Sequence, residues 1–91
     1  MMIQNNMTIN IRTPEEWNAF TKIGHAEGIR WLFEPDIALY ERRYEAFSVH
    51  INDAHKALTS PFNYTENDYT VIVEASDLFR NHIISMRLKG G

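Results

Sequence analysis

The chain has no cysteine, which excludes a disulfide framework, a thiolate zinc site and a cysteine nucleophile. It has no apolar run approaching the roughly 18 residues of a membrane span. Before Arg12 there is neither a basic residue nor the apolar core of a signal peptide, so a soluble, cytoplasmic protein with no membrane partner is expected. Clustered positive charge is also missing. From Glu34 to Asp77 nine acids face only Arg42, Arg43 and Lys56, and such a middle would repel the phosphates that a nucleic-acid-binding protein must attract. Direct nucleic-acid binding is therefore not expected. A phosphate loop, a nucleophile elbow and a dinucleotide fingerprint are absent too, and the expectation is a protein that is not an enzyme and carries no cofactor.

What remains is enough for one domain. Ninety-one residues with 44% hydrophobic content can close a single core and have nothing left for a second, so residues 1–91 are read as one domain with its core over 7–81. The clearest local signal is "RTPEEWNAFTKIGHAEG". Thr13 caps a helix that Pro14 opens, Glu16 stands three residues after the cap to complete a capping box, and Gly28 supplies the left-handed stop. Trp17, Phe20, Ile23 and Gly24 share one face, with Ala19 and Ala26 at its margin.

Short strands surround this helix. Met7, Ile9 and Ile11 alternate with Thr8, Asn10 and Arg12, the period of a half-buried strand. "IRWLF" ends where Pro35 blocks further pairing. "FSVHIN" turns Phe47, Val49 and Ile51 inward, and a turn near Asp53 leads to a strand at Lys56 to Thr59. "SPFNYTEND" is a loop by composition, and "YTVIV" reads as a strand buried on both faces. Ser76 or Asp77 caps a short late helix carrying Leu78 and Phe79. Beyond Asn81 two readings stand: Ile84, Met86 and Leu88 fit a strand, Phe79, Ile83 and Met86 a continuing helix, and the strand is favoured. The fold expected is α+β, one small antiparallel sheet of about five strands packed on one main helix. Trp17, Phe20, Ile23, Trp31, Phe33, Val49, Ile51, Val71 and Val73 are expected in its core.

Two features suggest metal or metal-dependent chemistry, and neither carries it far. His50 and His55 flank the hairpin turn with Asp53 between them, but if residues 52 and 55 pair, His50 faces Ala57 and lies diagonal to His55; exposed hairpin residues are the simpler reading, and no metal site is expected. Asp36, Glu41 and Arg43 have the residue types of a metal-dependent nuclease, but the two acids are too close in sequence for the hairpin that brings such residues together.

Two resemblances bear on function. The order of elements, with "TPEEW" opening the helix, Gly28 and Trp31 in "EGIRW", the central hairpin, and "YTVIV" leading into "ASDLF", resembles small proteins encoded by bacteriophages. That resemblance implies a non-enzymatic inhibitor, of the anti-CRISPR type, that binds a host protein. A partner with a basic surface would suit the acidic middle, and Glu34, Asp36, Tyr40, Glu41, Tyr44 and Glu45, two tyrosines among steering charges, are the expected contacts. The closing "MRLKGG" is similar to the end of ubiquitin-like proteins, which place a last strand before a free Gly-Gly. It implies, as an alternative, a modifier conjugated through Gly90 and Gly91, with residues 82–91 as final strand and tail. A β-grasp fold opens with a hairpin, however, and only a cramped one fits before Pro14.

Overall fold

The computed structural model describes residues 2–32 and 45–90. Within these residues five strands and three helices form an α+β domain: β1 (Met7–Ile11), α1 (Pro14–Ala26), β2 (Arg30–Trp31), β3 (Phe47–Ile51), β4 (Lys56–Ser60), β5 (Val71–Glu74), α2 (Ala75–Leu78) and α3 (Arg80–Gly90). The sheet order is β2-β4-β3-β1-β5. It is mixed rather than antiparallel: β1/β3 and β3/β4 run antiparallel, while β2 lies parallel to β4 and β5 parallel to β1.

The helix forms as its caps dictate. Thr13 is extended and its hydroxyl accepts from the Glu16 amide at 3.2 Å, while the Glu16 carboxylate accepts from the Arg12 amide at 2.9 Å. Gly28 ends the helix at φ +79°, a conformation that costs a side-chain-bearing residue more than glycine. Beyond the cap, the Glu27 carboxylate accepts from the amides of Met2 and Ile3 at 3.0 and 2.9 Å, and Ile3 is buried. Residues 2–6 form no strand, so among the described residues no hairpin precedes α1.

The core fills the space between one sheet face and the helices. Met7, Ile9, Ile11, Phe47, Val49, Ile51 and Ala57 meet Trp17, Ala19 and Phe20 of α1, with Phe79 and Ile83 behind them. Trp17 stacks on Phe20 with ring centroids 5.8 Å apart and tilts against Phe47 at 5.3 Å; Phe20 meets Trp31 edge-on at 6.0 Å. Of the expected core, Trp17, Phe20, Val49 and Ile51 are buried, Ile23, Trp31 and Val73 are partly buried, and Phe33 lies outside the described residues. Val71 does not belong to the core.

Three sequence expectations are corrected. Residues 82–88 are helical: Phe79 and Ile83 stand one turn apart and both reach the core, Phe79 lying 6.4 Å from Phe20, while Ile84, Met86 and Leu88, which a strand would have turned inward together, are exposed. β5 is an edge strand with exposed residues, not one buried on both faces. The hairpin closes at Asn52 and Lys56, where the Asn52 amide donates to the Lys56 carbonyl at 2.9 Å and His55 takes φ +62°, so the register moves by one and His50 stands opposite Leu58 rather than Ala57.

The mixed sheet has a simple cause. β4 ends at one end of the sheet and β5 must start at the other, beyond β3 and β1, so residues 61–70 run back across the sheet on the face away from the helices. Every residue of β1 and β3 is thereby buried, including Thr8, Asn10, Ser48 and His50, which alternation alone would place in solvent.

Candidate functional site

Beneath that crossing segment lies a cluster of uncharged polar side chains. Asn10 is its hub: its Oδ1 accepts from the Ser48 hydroxyl at 2.5 Å and from the Asn63 amide at 3.3 Å, while its Nδ2 donates to Asn63 Oδ1 at 2.7 Å and to Glu74 Oε2 at 2.8 Å. The Ser48 hydroxyl in turn accepts from the Asn63 amide at 3.0 Å. Asn63 holds φ +64°, a region asparagine tolerates, and this turns its amide and side chain together onto the strands. Further along, the His50 ring meets Tyr64 edge-on at 5.3 Å and its Nδ1 lies 3.1 Å from the Thr8 hydroxyl. The Tyr64 hydroxyl donates to Glu66, and the Thr70 hydroxyl donates to Asn6 Oδ1 at 3.2 Å.

Charge enters only at the rim. Arg12 forks onto Glu74 through Nε at 2.8 Å and Nη2 at 3.3 Å, and its guanidinium lies 4.5 Å from the centre of the Phe62 ring. The hydrogen bond from Arg12, with help from Asn10, holds the Glu74 carboxyl below the usual carboxylate range. Burial holds His50 below the usual imidazole value, against the opposing pull of Glu66 and Asp53. The hydrogen bond to Glu66 raises the Tyr64 phenol.

This cluster can fasten a segment but has little scope for chemistry on a substrate. Thr8 beside His50 has the residue types of a nucleophile and a base, yet both are buried beneath the crossing segment and the Thr8 hydroxyl has no path to a reactant. His50, expected in solvent, is buried because Tyr64 covers it. His55 Nδ1 lies 2.6 Å from Asn5 Oδ1, and among the described residues no three His, Asp or Glu side chains converge as metal ligands would. Among the described residues, no helix is long and apolar enough to cross a membrane.

An open groove of about 220 Å³ lies between the start of α1 and α3, with Thr13, Glu16, Ser76 and Ile83 among its walls. Small-molecule sites begin at roughly 300 Å³. The charges at this groove are engaged, Arg87 forking onto Glu15 with both bonds at 3.0 Å, Arg80 meeting Asp77 at 3.1 Å, and Glu16 accepting from the Arg12 amide at 2.9 Å.

The open surface of most interest is the β5 edge. Tyr69 is 83% exposed, Val71 56% and Ile72 40%, although all three belong to or adjoin a strand. From Pro61 to Phe79 the chain has four acids, Glu66, Asp68, Glu74 and Asp77, and no lysine or arginine. Glu74 is held by Arg12 and Asp77 by Arg80, which leaves Glu66 and Asp68, in the segment that leads into the strand, with no ion pair among the described residues. Of the expected contact residues, Glu45 is exposed just before β3, and Glu34, Asp36, Tyr40, Glu41 and Tyr44 lie outside the described residues. Of the proposed tail, Gly90 ends α3 and Gly91 lies outside the described residues. The acidity of the β5 region was visible in the sequence; its exposure was not, because an apolar run reads the same at an edge as at the centre of a sheet.

Comparison of the sequence with protein-family models and with curated proteins, and of the structure with solved structures, finds no match.

Proposed function

We propose that this chain is a small non-enzymatic protein that binds another protein carrying a basic surface and inhibits it by occupying that surface. The observation that carries the reading is the β5 edge, where Tyr69, Val71 and Ile72 stay exposed within an acidic stretch. Exposed apolar side chains rimmed by charge of one sign suit a protein partner, with apolar anchors supplying contact and acids supplying steering and selectivity. The sequence from Glu34 to Glu45 is acidic as well, with four acids against Arg42 and Arg43. The resemblance of the element order to small bacteriophage proteins favours a bacterial host protein, such as a defence effector, as the target.

The test is affinity capture from bacterial lysates on the immobilised full-length chain, at low and high salt, with mass spectrometry of what is retained. A stoichiometric partner with a basic surface, released by salt and lost on Glu66→Lys with Asp68→Lys, is expected. Recovery of no such partner from any plausible host would remove the proposal.

A further inference from the structure

Resting on that protein-binding reading, we infer that β5 accepts an extended, lysine- or arginine-bearing segment of the partner as a sixth strand of the sheet. The backbone supplies the first reason. The Val71 amide donates to the Asn6 carbonyl at 3.2 Å, and along a strand successive residues direct their amides and carbonyls to opposite sides. Val71 and Val73 thus bond towards β1, and Ile72 points its N–H and C=O at the open edge.

The second reason is that, among the described residues, this edge lacks the devices that usually block strand addition. Residues 71–73 contain no charge and no proline, and the one charged residue of β5, Glu74, is turned to Arg12 and Asn10. Among the described residues the opposite edge is blunted by length, since β2 comprises Arg30 and Trp31. β5 offers four residues, which match the short segments that add to sheet edges.

Charge selects the occupant. A second copy of this chain, paired β5 to β5, would bring Glu66 and Asp68 of one copy near acids of the other, and like charges across a strand pair are destabilising. A strand with cations meets Glu66 and Asp68, which have no ion pair among the described residues. Val71 lies on the helix-side face and Ile72 on the face of the crossing segment, each able to take one apolar neighbour from the incoming strand.

The experiment titrates the full-length protein with a twelve-residue peptide of alternating lysine and valine, and with a glutamate–valine control, followed by amide NMR and hydrogen exchange. The lysine peptide should slow exchange of the Ile72 amide, and salt should weaken its binding by roughly tenfold between low and high ionic strength. Ile72→Pro removes the outward donor without removing a bond to β1, so it should fold and lose the peptide. Binding without protection of Ile72, equal binding of the glutamate peptide, unchanged binding to Ile72→Pro, no binding at millimolar peptide, or dimerisation through β5 would each overturn strand addition. If a captured partner stays bound to Ile72→Pro, strand addition falls while the protein-binding reading stands.

Discussion

The two faces of this sheet are buried by opposite chemistries. On one, Ile9, Ile11, Val49 and Ile51 meet the rings of Trp17 and Phe20, and cohesion comes from area and shape. On the other, Thr8, Asn10, Ser48 and His50 meet a segment without regular structure, and cohesion comes from hydrogen bonds that satisfy that segment as much as the strands. A loop crossing a sheet carries backbone donors and acceptors that an apolar surface could not match. The polar back face is what permits the crossing, and the crossing delivers β5 to the edge of the sheet.

The contrast predicts unequal losses. Trp17→Ala removes the ring shared by Phe20, Phe47 and Trp31 and should cost about 3–5 kcal/mol of stability, measured by denaturant unfolding. Asn10→Ala leaves Ser48, Asn63 and Glu74 short of partners and should cost about 1–3 kcal/mol. Its loss should be concentrated in the crossing segment and β5, read as faster amide exchange there than in α1.

The faces should also differ in acid. The unfolded chain protonates His50 near the ordinary value of 6.5, while the buried ring resists until a lower pH. Between those two points the unfolded state binds more protons, so stability is full above about pH 6.5, falls as pH drops, and levels off below the folded value. Glu74 acts in a lower window: its contribution is present above the ordinary value of 4.5 and is lost as pH falls through its depressed folded value. His50→Asn should remove the first fall and leave the second, as read from melting temperatures across the acid range. Smallest of all, breaking the exposed Arg87–Glu15 pair with Arg87→Gln should leave the melting temperature at high salt unchanged.

The apolar face was legible in the sequence and the polar face was not. Thr13, Pro14, Glu16 and Gly28 mark the helix because capping is local chemistry, and Met7, Ile9, Ile11, Val49 and Ile51 keep their two-residue period in the structure. The same period sends Thr8, Asn10, Ser48 and His50 to the opposite face but does not say what covers it. A signal was present: these four residues are uncharged, whereas a strand face open to water usually carries lysine or glutamate. At the C-terminus, Ile84, Met86 and Leu88 mimic a strand, and the deciding fact, burial of Ile83 while those three stay exposed, is tertiary. The exposure of β5 follows from where the crossing segment lands, which no window of the sequence contains.

The most direct test of this two-faced account is residue-level hydrogen exchange at about pH 7.5 and at the lower pH where the His50 ring signals show it protonated, with protection corrected for intrinsic rates. As His50 takes up a proton, the amides of Asn63 and Tyr64 should lose protection while those of Phe20 and Ile23 in α1 keep theirs. An equal loss at both places, or no loss at either, would contradict the claim that the back face is a separate, hydrogen-bonded unit.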